Sequence, residues 1–144
     1  MHPAVFISGV LSGIYQEKDP RNLLISFDLL KYLLYTFMRD EKCAFDNELQ
    51  EQQFAEDFYD SISCYFPINF TPPANDTIRV SPDSLKALLA DCFLQSPKLT
   101  GLFVPFLIEK LKAKQVATKI ESIDLLRRIL ETFKQKWLNE EMLR

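Results

Sequence analysis

The middle of the chain contains a charge-free run that is incompatible with a helix. From Ser61 to Asn75 it reads Ser-Ile-Ser-Cys-Tyr-Phe-Pro-Ile-Asn-Phe-Thr-Pro-Pro-Ala-Asn, with an aspartate on either side. Each of the three prolines fixes φ and removes an amide donor. The aromatic and aliphatic residues are too apolar for a solvated loop. We therefore predict an extended connector over residues 66–80, with alternate side chains in the core.

The remaining sequence predicts helices. Glycine occurs only three times, and turn sequences typical of short β-hairpins are absent. The predicted helices cover roughly residues 4–16, 20 to at least 37, 46–65, 82 to at least 92, 98–113 and 116–141. The predicted fold class is all-α.

Apolar spacing predicts which faces are buried. In the first helix Gly9 and Gly13 are one turn apart, so a neighbouring helix is expected to approach there. The second helix is expected to be buried around much of its circumference. Pro105 is expected to bend the fifth helix. The sixth helix has a regular apolar seam that we predict to be buried: Val116, Ile120, Ile123, Leu126, Leu130, Phe133 and Trp137.

The last two helices have the layout of one HEAT unit. A proline-containing helix, a short turn and a second helix occupy residues 103–130, and such units are about 40 residues long. This pattern predicts an α-α superhelix, a HEAT/ARM-like solenoid in which residues 1–144 form a single repeat block. Since such units bury their faces by stacking, we expect the block to belong to a longer solenoid and to expose an apolar end face.

Charge is unevenly distributed along the chain. The net charge is −3, which gives no global attraction for nucleic acid. Residues 39–60 carry eight acids and two bases, whereas residues 109–136 carry eight bases and four acids. These segments are either solvated helix faces or two docking surfaces of opposite sign.

Catalytic and metal-binding patterns are not evident. The one histidine is His2, and the three cysteines, Cys43, Cys64 and Cys92, are too far apart in sequence for a metal-binding motif. The pairs Glu48/Glu51 and Asp57/Asp60 are read as exposed acidic faces rather than metal ligands, and Arg127-Arg128 as a solvated face rather than a phosphate clamp. We expect no enzyme, no catalytic residue, no cofactor and no metal. No segment reaches the ~20 apolar residues of a membrane span, and the first helix does not resemble a signal peptide.

Four segments together resemble one protein family. They are Glu17-Lys-Asp-Pro-Arg-Asn-Leu23, Ser63-Cys-Tyr-Phe-Pro-Ile-Asn-Phe-Thr-Pro-Pro73 followed by Asn75-Asp76, Phe103-Val-Pro-Phe-Leu-Ile-Glu-Lys110, and Thr118-Lys-Ile-Glu-Ser-Ile-Asp-Leu-Leu126. They resemble the N-terminal region of the HEAT-repeat scaffold of the cytosolic iron–sulfur assembly targeting complex, a family first known for methyl-methanesulfonate sensitivity and nucleotide excision repair.

The resemblance implies a non-catalytic adaptor in the nucleus and cytoplasm. Such an adaptor helps deliver iron–sulfur clusters to apo-proteins of DNA replication, repair and transcription, such as DNA helicases and polymerases. Its implied partners also include a WD-repeat propeller protein and a small assembly factor, which bind mainly to other regions of the family. Direct nucleic-acid or membrane binding is not implied.

Two alternatives to a client-binding adaptor remain open. In the first, the chain is a purely structural N-terminal block of the solenoid. In the second, it is a generic helical protein–protein interaction domain. Reversing charges at Glu48, Glu51, Lys112 or Lys119 is expected to separate a client-binding role from a structural one. The basic final helices also suggest a nucleic-acid-binding domain, which the acidic overall charge disfavours.

Overall fold

The protein folds into six α-helices in a computed structural model that describes residues 3–38, 45–75, 77 and 79–142. A 3₁₀ turn, Ser63–Tyr65, follows the third helix, and no strand occurs in these ranges. The all-α prediction is confirmed. The helices are α1 (Pro3–Ile14), α2 (Pro20–Met38), α3 (Glu48–Ile62), α4 (Pro82–Phe93), α5 (Pro97–Lys110) and α6 (Val116–Met142).

Side-chain caps begin four of the helices, α2 among them, where the Asp19 carboxylate accepts a hydrogen bond from the amide of Arg21 at 2.9 Å. The Asn47 side chain accepts a hydrogen bond from the amide of Gln50 at 2.9 Å at the start of α3. Ser81 does the same for Asp83 at 3.2 Å, and Ser96 caps α5. Such caps satisfy amides that have no partner within the helix, so the local sequence fixes where these helices begin.

The helices pack in two rows. In the first row α1 packs on α3, and α3 packs on α5. The second row contains α2, α4 and α6. In it α2 packs closely on α4, whereas α6, at the far end, packs mainly on α5 of the first row. This arrangement is consistent with an α-helical repeat solenoid.

Phenylalanine side chains fill the space between the two rows. Phe58 of α3 meets Phe93 of α4 edge-on, with ring centroids 6.4 Å apart. Phe27 and Phe103 are fully buried in the same cluster. Because aromatic rings contribute both area and edge-to-face attraction, this cluster joins the two rows.

The predicted alternation of core side chains holds at the start of the connector, whereas Thr71, residues 73–75, Thr77 and Arg79 are exposed. Phe66 and Ile68 are buried near its start and Val80 at its end. Phe70 is half-buried and packs against the core. The Tyr65 hydroxyl, at the start of this segment, lies 3.0 Å from the carbonyl oxygen of Glu17 and 3.2 Å from that of Ile14, and donates there. The connector therefore begins against the end of α1.

The predicted buried seam of α6 is wrong. The buried side chains are instead Thr118, Ser122, Leu125 and Ile129, which face α5 and the core. Val116, Ile120, Ile123 and Leu130 are exposed, Leu126 and Phe133 are half-buried, and the Trp137 side chain lies outside the described part of the chain. The helix is therefore rotated relative to the prediction, and its most apolar stripe faces outward.

Two further expectations about helix packing are also wrong. No atom of the described part of the chain lies within 4 Å of a Cβ placed on Gly9 or Gly13, so none of the described helices approaches closely there. The outer side of α2 is exposed at Ile25, Leu29, Tyr32 and Tyr35 rather than buried. Helix α5 continues through Pro105, and the bend expected there stays a prediction.

Candidate interaction surfaces

The outward side of α6 forms an apolar surface that we call the end face, composed of Val116, Ile120, Ile123 and Leu130. Val116, Ile123 and Leu130 are 67%, 54% and 57% exposed. Their spacing of seven residues places them on one side of the helix. Apolar residues that recur at core-like spacing but face solvent mark a surface for protein packing.

A groove separates α4 from α6, and we refer to it simply as the groove. The backbones of the two helices come close at few positions, although two ion pairs, Lys86–Glu121 and Arg128–Asp91, span the space between them, which has a volume of about 380 Å³. Phe66 of the connector reaches this space. Its other apolar lining comes from Ala87, Leu89, Ala90, Ala117, Ile120 and Leu125. Since three of these are alanines, the walls are set back and leave room for the side chains of another chain.

Some of the charged side chains on the rims of the groove form ion pairs, whereas others do not form one with any described residue. Lys86 of α4 reaches Glu121 of α6 at 3.7 Å, and the amide of Ile68 donates to Glu121 at 3.4 Å. Burial raises the pKa of Glu121, although Lys86 and the Ile68 amide oppose that rise. Asp83 and Asp124 also line the groove, and neither carboxylate has a hydrogen-bond or ion-pair partner among the described residues.

Asp91 connects all three helices of the second row. Its carboxylate accepts a hydrogen bond from Arg128 of α6 at 2.6 Å and lies 3.3 Å from the Lys31 ammonium of α2. These groups are partly buried, which strengthens the pairing relative to a fully exposed pair. Arg128 is therefore a structural side chain, whereas Arg127 is exposed as predicted.

A third surface, the α2 patch, consists of Ile25, Leu29, Tyr32 and Tyr35. These residues line a shallow depression together with Asp28, Lys31 and Gln95. Aromatic and aliphatic side chains of this kind are enriched at the centres of protein interfaces. The patch lies on the outer side of the first helix of the second row.

The acidic residues of the segment 39–60, read from the sequence as either a solvated face or a docking surface, are in part engaged within the fold. Lys98 of α5 contacts Glu51 at 3.0 Å and Glu48 at 3.7 Å. The hydrogen bond to Glu51 raises the pKa of Lys98. Reversing the charge of Glu51 would therefore disturb the packing of α3 on α5, so this substitution cannot separate client binding from stability. Lys112 and Lys119 are exposed and remain suitable for that test.

The remaining side chains of chemical interest do not converge. Cys64 is exposed, whereas Cys92 is buried and its thiol points to the carbonyl oxygen of Phe27 at 3.3 Å. Asp57, on the exposed side of α3, accepts a hydrogen bond from Gln53. Across the described ranges, no three histidine, cysteine or acidic residues are placed to hold a metal ion. His2 and Cys43 lie outside those ranges.

None of the helices described has the length and apolar character required to cross a bilayer.

The sequence does not indicate the groove directly. Its lining comes from the connector, α4 and α6, which are distant in sequence. The one available signal is the presence of three alanines, Ala87, Ala90 and Ala117, on helices that otherwise carry large side chains. Small residues of this kind are compatible either with a groove or with close packing of two helices, and the sequence does not distinguish these arrangements.

Comparisons with known proteins agree on one family. A family model described as "Dos2-interacting transcription regulator of RNA-Pol-II", MMS19_N, matches residues 1–144. The MMS19 nucleotide excision repair protein homolog of Dictyostelium discoideum is 39% identical over 84% of the chain, and that of Homo sapiens is 31% identical over 95%. The DNA repair/transcription protein mms19 of Schizosaccharomyces pombe is 36% identical over 83% of the chain.

The matched region is a small part of each relative. It covers 10% of the Dictyostelium protein, 11% of the yeast protein and 12% of the human protein. No solved structure shows significant similarity to the chain. The predicted family is confirmed: the chain belongs to the MMS19 nucleotide excision repair and transcription protein family and corresponds to its N-terminal region.

Proposed function

We propose that this chain is a non-catalytic adaptor segment that binds proteins through the second row of helices. The observation that carries the proposal is the amount of apolar surface on α6 and between α4 and α6 that the chain's own helices leave uncovered. Exposed apolar patches on a well-packed helical scaffold are typical of interaction sites. The family description names an interaction with a protein, which supports protein partners.

We further propose that the clients are apo iron–sulfur proteins of DNA replication, repair and transcription. This part rests on the resemblance to the targeting-complex scaffold and on the repair and transcription names of the relatives. An adaptor of this kind has no need to hold the cluster itself. The assignment to the nucleus and cytoplasm belongs to the same proposal.

Equilibrium binding to a purified apo iron–sulfur DNA helicase tests the proposal. The 144-residue chain is immobilised and the helicase is titrated by interferometry. Ile123→Asp places a charge on the end face and is expected to weaken an interaction made there, since burying an unpaired charge is costly. Leu49→Asp is the matched control, because Leu49 is 78% exposed on α3 in the first row. Equal effects of the two substitutions, or no binding by the unaltered chain, would refute a client-binding role.

The end face also supports a second candidate function, that of a structural repeat block. Because the chain spans about a tenth of the length of its relatives, following helices of a longer protein are candidates for covering this face. In that case Ile123→Asp in a longer chain lowers the stability of the array and leaves client affinity unchanged. Urea unfolding beside the binding titration therefore distinguishes the two functions.

A further inference from the structure

We propose that the groove between α4 and α6 binds an amphipathic helix whose apolar side chains are flanked by lysine or arginine. This inference extends the proposed adaptor function by naming the chemistry of a partner and the site that it occupies. It rests on the shape of the groove, its apolar lining and the charge left unpaired on its rims.

The groove is a different surface from the end face. Ala117 and Asp124 line the groove and follow Val116 and Ile123 of the end face by one residue each. One residue turns an α-helix by about 100°. A helix stacked on Val116 and Ile123 would therefore leave most of the groove open. Ile120 alone belongs to both surfaces.

The dimensions of the groove suit side chains rather than a whole helix. A helix with its side chains is about 10 Å across, whereas the groove holds about 380 Å³. The exposed alanines Ala87 and Ala117, on opposite walls, let the backbone of a bound helix approach. Large apolar side chains from one face of that helix would then reach down toward Phe66 and Leu125. This is the arrangement by which grooves recognise amphipathic helices through residues three or four apart.

The charges around the groove favour a basic partner. The cations on its rims, Lys86 and Arg128, are already held by Glu121 and Asp91. The carboxylates of Asp83 and Asp124 have no such partner within the described ranges. Asp83 lies in the first turn of α4, where the helix dipole partly compensates it. Asp124 is in the middle of α6 and has no such compensation, so it is the rim carboxylate most available to a bound lysine or arginine.

Two synthetic helical peptides of about 20 residues, long enough to be helical in water, test the inference. They share one leucine stripe, and the positions flanking it are lysine and arginine in one peptide and glutamate in the other. Fluorescence anisotropy with the 144-residue chain is expected to show tighter binding of the basic peptide, with affinity that falls as salt is added. Equal affinity of the two peptides, or tighter binding of the acidic one, overturns the inference.

Substitutions locate the binding. Ala87→Trp fills the groove from the α4 wall and is expected to lower affinity more than tenfold, a loss of about 1.4 kcal/mol or more. Asp124→Asn is expected to lower affinity for the basic peptide about threefold, the size of one exposed ion pair, and to raise affinity for the acidic peptide, because it removes a repulsion between like charges. Ala74→Trp is the control, because Ala74 is exposed in the connector and does not line the groove. Equal effects of Ala87→Trp and Ala74→Trp contradict the inference.

The remaining outcomes are also decisive. If Ala87→Trp does not fold, as judged by circular dichroism, Ala117→Trp fills the groove from the opposite wall. Self-association of the unaltered chain that Ala87→Trp abolishes would assign the groove to a second copy and overturn the inference. Failure of the peptides to bind, with client binding intact, would reject the groove as the site and leave the adaptor function standing.

Discussion

Removing the ring of Phe66 is the sharpest perturbation of the connector. Its side chain is 5% exposed and packs edge-on against Phe103 at 5.7 Å and Phe106 at 5.9 Å, measured between ring centroids. Phe66 also forms part of the groove. The substitution Phe66→Ala therefore tests whether the connector is part of the core or only covers it.

The expected loss of stability follows from these contacts. Burial of a phenylalanine side chain contributes about 1.5–3 kcal/mol, and each edge-on aromatic pair adds about 0.5–1.5 kcal/mol. With two pairs the sum is roughly 2.5–6 kcal/mol, which brackets the 3–5 kcal/mol typical of phenylalanine-to-alanine changes in cores. For a chain of this size, 3–5 kcal/mol corresponds to a fall in Tm of roughly 10–15 °C.

Urea and thermal unfolding followed by far-UV circular dichroism measure the effect. Phe6→Ala is the matched control, because it removes the same atoms from a ring that is 46% exposed on α1. Phe70→Ala is expected to fall between the two, since Phe70 is half-buried. If Phe66→Ala and Phe6→Ala change the free energy of unfolding equally, the connector is not anchored as described.

Three further predictions concern charged and thiol groups. Lys98→Ala removes the contacts with Glu51 and Glu48 and is expected to lower the free energy of unfolding by up to about 1 kcal/mol, since these ion pairs are partly exposed to solvent. Urea unfolding measures the change, and a loss no larger than that of Lys112→Ala would contradict the prediction. In a Cys43→Ser background, a thiol reagent is expected to modify Cys64 in the folded chain and Cys92 only on unfolding, because burial raises the pKa of the Cys92 thiol. Modification of both at one rate would refute this. Burial raises the pKa of Glu121 in the folded chain above its usual 4.5, so folding favours the protonated carboxyl. The contribution of this group to the free energy of unfolding is therefore present below pH 4.5 and is lost as pH rises through the folded pKa. Glu121→Gln is therefore expected to gain stability relative to the unaltered chain between pH 4.5 and 7, and a constant difference across that range would contradict the reasoning.

The connector and the helix starts could be predicted because their causes are local. Prolines, serine and asparagine caps act within a few residues, so the sequence contains the whole explanation. The outward face of α6 could not be predicted in the same way. Its buried side includes Ser122, whose hydroxyl donates to the carbonyl oxygen of Thr118 at 2.8 Å and is thereby satisfied within the helix. Periodicity identifies the most apolar stripe, but it does not reveal whether that stripe packs within this chain or against another.

The groove and the ion pairs depend on which helices become neighbours. Glu51 and Lys98 are 47 residues apart, and Arg128 and Asp91 are 37 apart. Charge counting along the chain left open solvated faces or two docking surfaces of opposite sign, whereas folding brings several of these charges together. The carboxylate of Asp124 is available to a partner because its neighbours Glu121 and Arg128 form ion pairs with Lys86 and Asp91 of α4. These ion pairs depend on the packing of α6 near α4, which the sequence alone does not reveal.

We propose that the second row of helices is the protein-binding face of this segment. Hydrogen–deuterium exchange of the chain with and without a purified apo iron–sulfur DNA helicase tests it most directly. We expect slower amide exchange in α4 and α6 on binding, with exchange in α1 and α3 unchanged. Protection confined to α1 and α3, or no protection in any helix, would contradict it.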